Sequence, residues 1–180
     1  MTPRYERALI VGAGEGLSAS LARALHGAGL RIGLAARNTD KLTALADSLG
    51  AAAHPCDVAQ PEQVDALFAA MDAALGGPPD VVVYNPSARV RGPFLDLDRA
   101  EVARALTVTA YGGFLVAQAA VRRMLPHGQG AILFTGVSAS VKGYAGSAPF
   151  AMGKFALRGL AQSLVQLQGT LFVGRPCGIR

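Results

Sequence analysis

The sequence predicts an α/β protein with a doubly wound parallel sheet, and two observations predict it. Short, largely apolar runs such as "ALIV" (8–11) and "DVVVYN" (80–85) alternate with amphipathic stretches of ten residues or more. Strands that are apolar throughout are buried on both faces, as in parallel sheets covered by helices. The amphipathic stretches are long enough to serve as right-handed helical crossovers. Ligands of such folds bind beyond the carboxyl ends of the strands.

Five strand–helix units follow one another along the chain. The strands are predicted at 8–11, 31–36, 51–58, 80–85 and 131–136, and the helices at 17–29, 40–50, 61–77, 98–125 and 149–164. Pro61 suits the first turn of the third helix, where a missing N–H costs little. The run "TLFV" (170–173) could form a sixth strand, and nothing after it would form a helix and a seventh strand. We expect one domain over residues 1–180, a sheet incomplete at its C-terminal edge, and an atypical tail over 169–180.

Composition excludes several classes of protein. Hydrophobic residues make up 51% of the 180 residues and charged residues 16%, which excludes a disordered chain, and no apolar run is long enough to span a bilayer. The net charge is +5, but the arginines are dispersed and no aromatic residues interleave with them, so we expect no nucleic-acid partner. Cys56 and Cys177 are too few for a disulfide framework. His54 and Cys56 lack further metal-binding neighbours, so no metal site is expected. The predicted location is the cytoplasm.

A glycine-rich turn lies between the first predicted strand and the first predicted helix. In "ALIVGAGEGLSASLARAL", it contains Gly12, Gly14 and Gly16. Glycine lets the backbone turn sharply and lets a pyrophosphate approach, and the N-terminus of the following helix favours an anion. The alternative is a tight turn without a ligand. With a strand before it and a helix after it, the turn predicts a single dinucleotide-binding, Rossmann-like domain.

The residues at the end of the second predicted strand indicate whether NAD or NADP is the cofactor. An acidic residue about twenty residues after the glycines would bind the ribose 2′-hydroxyl of NAD. The sequence there is "LAARN", so Ala36 offers no carboxylate and Arg37 offers a cation. A guanidinium pairs well with phosphate oxygens, so the expected cofactor is NADP, with NAD less favoured. The alternative is that Arg37 is only a solvated loop residue.

These motifs resemble the short-chain dehydrogenase/reductase family, over about residues 6 to 168. The family's first turn reads T-G-x-x-x-G-x-G; here Gly12 and Gly16 match, while Val11 and Ser18 replace the Thr and the last Gly. The family Asp after the third strand matches Asp57, followed by Val58, and Asn85 is the one match to N-N-A-G after the fourth strand. The cofactor-binding residues that the resemblance implies are Gly12, Gly14, Glu15, Gly16, Leu17, Arg37, Asp57, Val58, Asn85 and Lys154.

The resemblance also implies a catalytic site, and this chain departs from it. Family members use Asn, Ser, Tyr and Lys, with the last two spaced Y-x-x-x-K. Lys154 falls on the Lys, but Phe150 falls on the Tyr, Thr109 on the Asn, and Val137 at or next to the Ser, with Ser138 the nearest hydroxyl. Residues four apart share a helix face, from which an ammonium can lower the pKa of a phenol that normally titrates near about 10. A phenyl ring has no proton to transfer.

Three interpretations follow. The first is an NADP-dependent oxidoreductase with a non-standard site, in which Lys154, Ser138 and Thr109 are catalytic and Ser138, Tyr144 or a water held by Lys154 supplies the proton. Thr109 could instead bond to a backbone carbonyl one turn earlier in its helix. The second is a catalytically inactive nucleotide-binding protein, a sensor or an oligomer subunit. The third is a C-terminally truncated, non-functional family member. Similarity of "FTGVSASVKG" and Phe150 to a divergent branch of the family supports the view that Phe150 is not a random lesion.

Two helices predict self-association. The predicted helices 98–125 and 149–164 carry apolar residues on more than one face, which is typical of helices that pack against a partner. In the family these helices form the dimer interface, so a homodimer or homotetramer is expected. The alternative is that both helices pack only on the sheet. The substrate is expected to be an unidentified small carbonyl or alcohol, and the sequence identifies neither it nor the direction of reaction.

Overall fold

Six parallel strands form one sheet in the order β3-β2-β1-β4-β5-β6. A computed structural model describes residues 5–165 and, for the backbone alone, 171–174. The strands are β1 Arg7–Val11, β2 Arg31–Ala36, β3 Ala52–Pro55, β4 Val81–Tyr84, β5 Gly130–Phe134 and β6 Leu171–Gly174. The helices are α1 Leu17–Gly27, α2 Thr43–Leu49, α3 Pro61–Ala74, α4 Arg99–Leu106, α5 Gly112–Met124 and α6 Ala148–Val165.

The predicted fold class is confirmed, and the sixth strand is present. The β6 backbone pairs in parallel with β5, with Leu171 opposite Gly130. Within the described part of the chain β6 is an edge strand, as β3 is at the other side of the sheet. Apart from β6, the predicted tail over 169–180 lies outside the described residues.

Two apolar clusters cover the two faces of the sheet. On one face α1 and α2 pack on the central strands through small and aliphatic residues such as Ala19, Ala22 and Leu45. On the other face α3, α5 and α6 pack on the same strands, with Phe68 and Tyr84 among the fully buried side chains. Strands buried on both faces explain the continuous apolar runs in the sequence. The carboxyl ends of the strands stay uncovered, which leaves room for a ligand.

The predicted helix 98–125 is interrupted by a π turn. Asp98 caps α4 by accepting a hydrogen bond from the N–H of Glu101 at 2.8 Å. Residues Thr107–Tyr111 then form the π turn, and α5 continues from Gly112. The buried Tyr84 hydroxyl donates a hydrogen bond to the Val108 carbonyl inside this turn. Single π turns are often found at functional sites.

Neither membrane nor metal features appear in the described residues. No helix in this part of the chain combines the length and apolar character that crossing a membrane requires. Among the same residues, no group of three or more His, Cys, Asp or Glu side chains is placed to hold a metal ion.

Candidate functional site

A cleft of about 820 Å³ opens at the carboxyl ends of β1, β2 and β4. It lies where the strand order reverses on either side of β1, which is the usual ligand position in open α/β sheets. The residues that line it are Gly12, Ala13, Ala36, Arg37, Asn38, Lys41, Cys56, Asp57, Val58, Asn85, Pro86, Ser87, Ala88, Arg89, Arg104 and Val108. Predicted site residues from four separate stretches of sequence therefore meet in one cleft.

Gly12 turns the chain at the end of β1. Its φ of 77° lies in the left-handed region, and its N–H and that of Ala13 both donate to the Ala35 carbonyl at 2.9 Å. A Cβ on Gly12 would lie 2.7 Å from both the backbone nitrogen and the Cδ of Pro86. The position therefore requires glycine for both backbone conformation and space.

The rest of the turn is open. A Cβ on Gly14 or on Gly16 would meet nothing within 4 Å, and no described side chain caps the first turn of α1. Glu15 and Leu17 are exposed on the same turn. The backbone can thus be approached closely, and first-turn N–H groups remain for an anion. These residues fit the pyrophosphate of a dinucleotide.

Ser18 compensates for the family glycine that it replaces. Its side chain is 2% exposed, and its hydroxyl donates to the Gly12 carbonyl at 3.0 Å. The amide of Asn85 donates to the Ser18 hydroxyl at 2.8 Å and to the Gly12 carbonyl at 3.2 Å. Ser18 and Asn85 together hold the glycine turn against the loop after β4. Asn85 is thus placed to support the turn as well as to line the cleft.

Arg37 and Asp57 lie at the end of the cleft where the predicted adenosine would bind. Arg37 is exposed, and Lys41, which the sequence reasoning missed, contributes a second cation there. Asp57 accepts a hydrogen bond from the Ala59 N–H at 3.0 Å, so it also stabilises its own turn. Its backbone N–H donates to the Gln63 side chain at 2.8 Å. The sequence could have indicated Lys41 as a second phosphate-binding cation, because it lies only four residues after Arg37.

The sulfur of Cys56 is a packing group. Cys56 is 3% exposed. Burial, which is the larger cause, and the negative charge of Asp57 raise the pKa of its thiol to about 11. A thiol with a raised pKa holds little thiolate near neutral pH and is a poor nucleophile.

Lys154 is buried at the other end of the site. It is 3% exposed, and its Nζ donates a hydrogen bond to the Thr135 carbonyl at 2.9 Å. Burial and, secondly, the charge of Arg89 lower its pKa to about 8. Lys154 does not itself line the cleft, whereas Arg89 does. A buried ammonium without a carboxylate partner is costly and is a marker of function.

Phe150 lies one helical turn before Lys154 on α6. Its ring is covered by Arg89, whose Cζ lies 4.8 Å from the ring centroid. The sequence reasoning missed Arg89. Its signal was the altered loop after β4, in which only Asn85 follows the family pattern.

The two other predicted catalytic residues have different surroundings. Thr109 is 1% exposed within the π turn, and its hydroxyl accepts a hydrogen bond from the Ala88 N–H at 3.1 Å. The hydrogen bond to a carbonyl one turn earlier, which was the alternative for Thr109, is made instead by Thr107, whose hydroxyl donates to the Ala103 carbonyl. Ser138 is exposed on the turn before α6. In the same turn, the Ser140 hydroxyl accepts a hydrogen bond from the Val137 N–H at 3.2 Å.

The geometry matches a known family. The sequence model of the short chain dehydrogenase family matches residues 6–170. This chain belongs to the short chain dehydrogenase family. Members of the family are oxidoreductases that bind NAD(P).

Similar curated proteins are reductases and dehydrogenases. The chain is 30% identical to carbonyl reductase (NADPH) 2 of Sus scrofa over 91% of its own length and 66% of the relative's. It is 30% identical to (+)-borneol dehydrogenase 1 of Salvia officinalis, covering 94% of this chain and 66% of that one. The chain therefore spans just under two thirds of the length of these relatives.

Solved short chain dehydrogenases share the fold. A short-chain dehydrogenase from Rhodopseudomonas palustris has a TM-score of 0.88 at 30% identity, covering 96% of this chain and 84% of that one. A variant of actinorhodin polyketide ketoreductase, solved with NADPH, has a TM-score of 0.91 at 27% identity, covering 96% and 69%. The described sheet is thus the family sheet.

Proposed function

We propose that this protein is an NADP-dependent oxidoreductase that transfers a hydride between NADP(H) and a small carbonyl compound or alcohol. The observation that carries the proposal is the buried ammonium of Lys154, which has no carboxylate partner among the described residues and lies near a cleft whose glycine turn fits a dinucleotide. Proteins keep such a charge where it serves chemistry, because its burial lowers the stability of the fold.

Each end of the cleft has a separate task. The N–H groups after Gly14 and Gly16 bind the pyrophosphate, and Arg37 with Lys41 binds the 2′-phosphate. When bound, the cofactor supplies the hydride, and the protein must orient it and balance charge at the oxygen. The relative named for NADPH and the ketoreductase solved with NADPH support the choice of NADP.

Lys154 is the proton-handling group that we propose in place of the family tyrosine. Phe150 has no exchangeable proton, and the exposed Ser138 uses its carbonyl, but not its hydroxyl, in hydrogen bonds within the described residues. The Lys154 pKa of about 8 means that its Nζ exchanges a proton close to neutral pH. The Thr135 carbonyl fixes the position of that Nζ.

Replacing Arg37 by alanine tests the cofactor proposal. Each charge-assisted bond to the 2′-phosphate contributes roughly 1.5–3 kcal/mol, so NADPH affinity should fall about tenfold to a hundredfold. NADH affinity should stay unchanged, because NADH has no 2′-phosphate. Both are measured by titration calorimetry, and Lys41→Ala should act in the same direction.

Arg23→Ala is the matched control, since Arg23 is exposed on α1 and does not line the cleft. Equal losses for NADPH and NADH in Arg37→Ala would contradict the NADP assignment. Binding of NADPH by a protein that reduces no compound of a carbonyl panel, even as Phe150→Tyr, would favour the inactive nucleotide-binding protein. The absence of a hydroxyl at Phe150 is the observation behind that second candidate.

We also propose that the protein forms a homodimer, or a homotetramer through a second interface. Exposed apolar side chains lie on the last part of the 98–125 stretch and on α6: Tyr111, Phe114, Met152 and Phe155. The Tyr111 and Phe114 rings stack at 6.2 Å with an interplanar angle of 17°. Rigid aromatic anchors of this kind favour association.

Replacing Phe114 by aspartate is expected to give monomers, because a carboxylate cannot be buried in that interface without a partner. Light scattering should give twice the mass of one chain, or a higher multiple, for the unmodified protein. Leu95→Asp is the control, since Leu95 is exposed on a turn that belongs to neither helix and should not affect the mass. A monomeric mass for the unmodified protein would refute the assembly.

A further inference from the structure

Arg89 occupies the part of the site where the family tyrosine would act. It lies on the loop after β4, lines the cleft, and covers the face of the Phe150 ring with its guanidinium carbon 4.8 Å from the centroid. A guanidinium over an aromatic face is attracted to the negative charge of the ring face. That attraction limits the orientations of an otherwise flexible side chain.

The loop that carries Arg89 is anchored on both sides. Before it, the Ala88 N–H donates to the buried Thr109 hydroxyl at 3.1 Å. After it, the Gly92 N–H donates to the Gly146 carbonyl at 3.1 Å, which ties the loop to the segment before α6. Thr109 has therefore a positioning role, because it holds the backbone next to Arg89.

Gly153 makes this anchoring possible. A Cβ at Gly153 would lie 2.9 Å from the Cβ and Cγ2 of Thr109, so α6 and the π turn approach more closely than side chains would allow. Lys154 is the next residue in α6. The same contact thus fixes Thr109, the Arg89 loop and the start of the Lys154 side chain relative to one another.

The charge on Arg89 is not balanced by any described carboxylate. Arg7 and Arg123 are paired with Asp80 and Asp72, whereas Arg89 is exposed and, like Arg37 in the same cleft, makes no ion pair within the described residues. Arg89 instead lies close enough to Lys154 for its charge to lower the pKa of that ammonium. The charge of Arg89 in the cleft and the charge of the buried Lys154 disfavour each other, and an anion bound at Arg89 would relieve the repulsion.

We propose that Arg89 binds a carboxylate of the substrate, so that the substrate class is a carbonyl or hydroxy compound that bears a carboxylate. The proposal rests on the proposed oxidoreductase function. The guanidinium presents a planar fork of N–H donors that matches the two oxygens of a carboxylate. Arg89 lacks a proton that it can release, so it is a specificity-determining residue and does not replace the tyrosine as an acid.

Matched ligands test this assignment. The probes are 2-oxopentanoate and 4-oxopentanoate, each compared with its methyl ester, by titration calorimetry of the full chain. Titrations are done with NADP⁺ present, which has no hydride to give, and again without nucleotide. We expect at least one acid to bind about tenfold to a hundredfold more tightly than its ester. Arg89→Gln should remove this difference, and Arg89→Lys should retain part of it.

Arg91→Gln is the control, because Arg91 is exposed two residues away and does not line the cleft. A wild-type protein that does not discriminate acids from esters under either condition overturns the inference. An Arg89→Gln protein that loses affinity equally for NADPH and for both probes assigns Arg89 to the nucleotide and also overturns it. Failure of NADPH to bind the wild type would instead overturn the proposed function.

The Lys154 pKa provides a readout that loss of packing would not mimic. Among the described residues, the Thr135 carbonyl, directly after β5, is the uncharged group bonded to Lys154, and Arg89 is the charged group that acts on its pKa. Binding of the acid, or Arg89→Gln, should raise the Lys154 pKa from about 8, in part only, because burial is the larger cause. The pKa is followed by NMR of ε-labelled lysine, and no rise in either case contradicts the proposal.

Discussion

Lys154→Met is expected to reduce turnover by about 10²–10⁴-fold, because it removes the one titrating group that we place at the reacting end of the site. Methionine has a similar length and needs no hydrogen bond, so the α6 packing should be kept. NADPH should still bind, since the phosphate-binding residues lie at the glycine turn and at Arg37. Turnover is measured on the best compound of a carbonyl panel, and binding by the rise in melting temperature.

Lys142→Met is the control for this substitution. Lys142 is exposed, does not line the cleft, and has its Nζ 5.0 Å from the centroid of the Tyr144 ring. The same change of side chain there should leave turnover intact. Equal activity of Lys154→Met and the wild type would exclude Lys154 from the chemistry.

The same variant has a pH signature in its stability. Between pH about 8 and 10.5 the unfolded chain binds a proton at Lys154 that the folded chain has released. Stability rises with pH wherever the unfolded state binds more protons. The wild type should therefore gain at most about 3 kcal/mol relative to Lys154→Met across this window. Below pH 8 the difference should be constant, and it is measured by denaturant unfolding at a series of pH values.

Gly12→Ala is expected to abolish nucleotide binding and to destabilise the fold. The left-handed φ costs an alanine about 1–2 kcal/mol, and the contact of its Cβ with Pro86 costs about 1–3 kcal/mol more. Relief of this contact would move the turn away from Pro86 and break the bonds that Ser18 and Asn85 make to the Gly12 carbonyl. Urea unfolding and NADPH titration measure the two effects.

Gly14→Ala separates structure from binding. Its Cβ would meet nothing within 4 Å, so the free energy of unfolding should stay within about 0.5 kcal/mol of the wild type. NADPH affinity should nevertheless fall, because the methyl group occupies the space that the pyrophosphate needs. A Gly14→Ala protein with unchanged NADPH affinity would show that the cofactor does not lie against this turn.

The alternation of apolar and amphipathic segments was sufficient to predict the parallel sheet, and the apolar run "TLFV" indicated that a sixth strand could form. The spacing of apolar residues indicates which faces of a strand or helix are buried, and this is the strongest signal of secondary structure in a sequence. The π turn was not predicted, and one contact that it makes, the hydrogen bond from the Tyr84 hydroxyl to the Val108 carbonyl, comes from a distant strand. Tertiary contacts of this kind are absent from any local pattern.

The site was predicted only in part for a similar reason. Positions that match a family motif, such as Gly12, Asn85 and Lys154, could be located from the sequence, and the structure brings Gly12 and Asn85 into contact. Arg89 belongs to no motif. It is identified as a site residue by its contact with the ring of Phe150, which lies more than sixty residues away in the sequence. The sequence shows that Phe150 lacks the tyrosine hydroxyl, whereas only the three-dimensional structure shows that Arg89 covers its ring.

The row of cations along the cleft has a kinetic consequence. Arg37, Lys41 and Arg89 lie in one concave surface. Among the described residues that line it, Asp57 is the one carboxylate, and a fourth cation, Arg104, is paired with Glu101. Concave surfaces of one sign focus the electric field and raise the local concentration of oppositely charged solutes before contact. A polyanion such as a dinucleotide phosphate is thus drawn toward the cleft by diffusion in a field, and salt that screens over about 8–10 Å slows its encounter more than its departure.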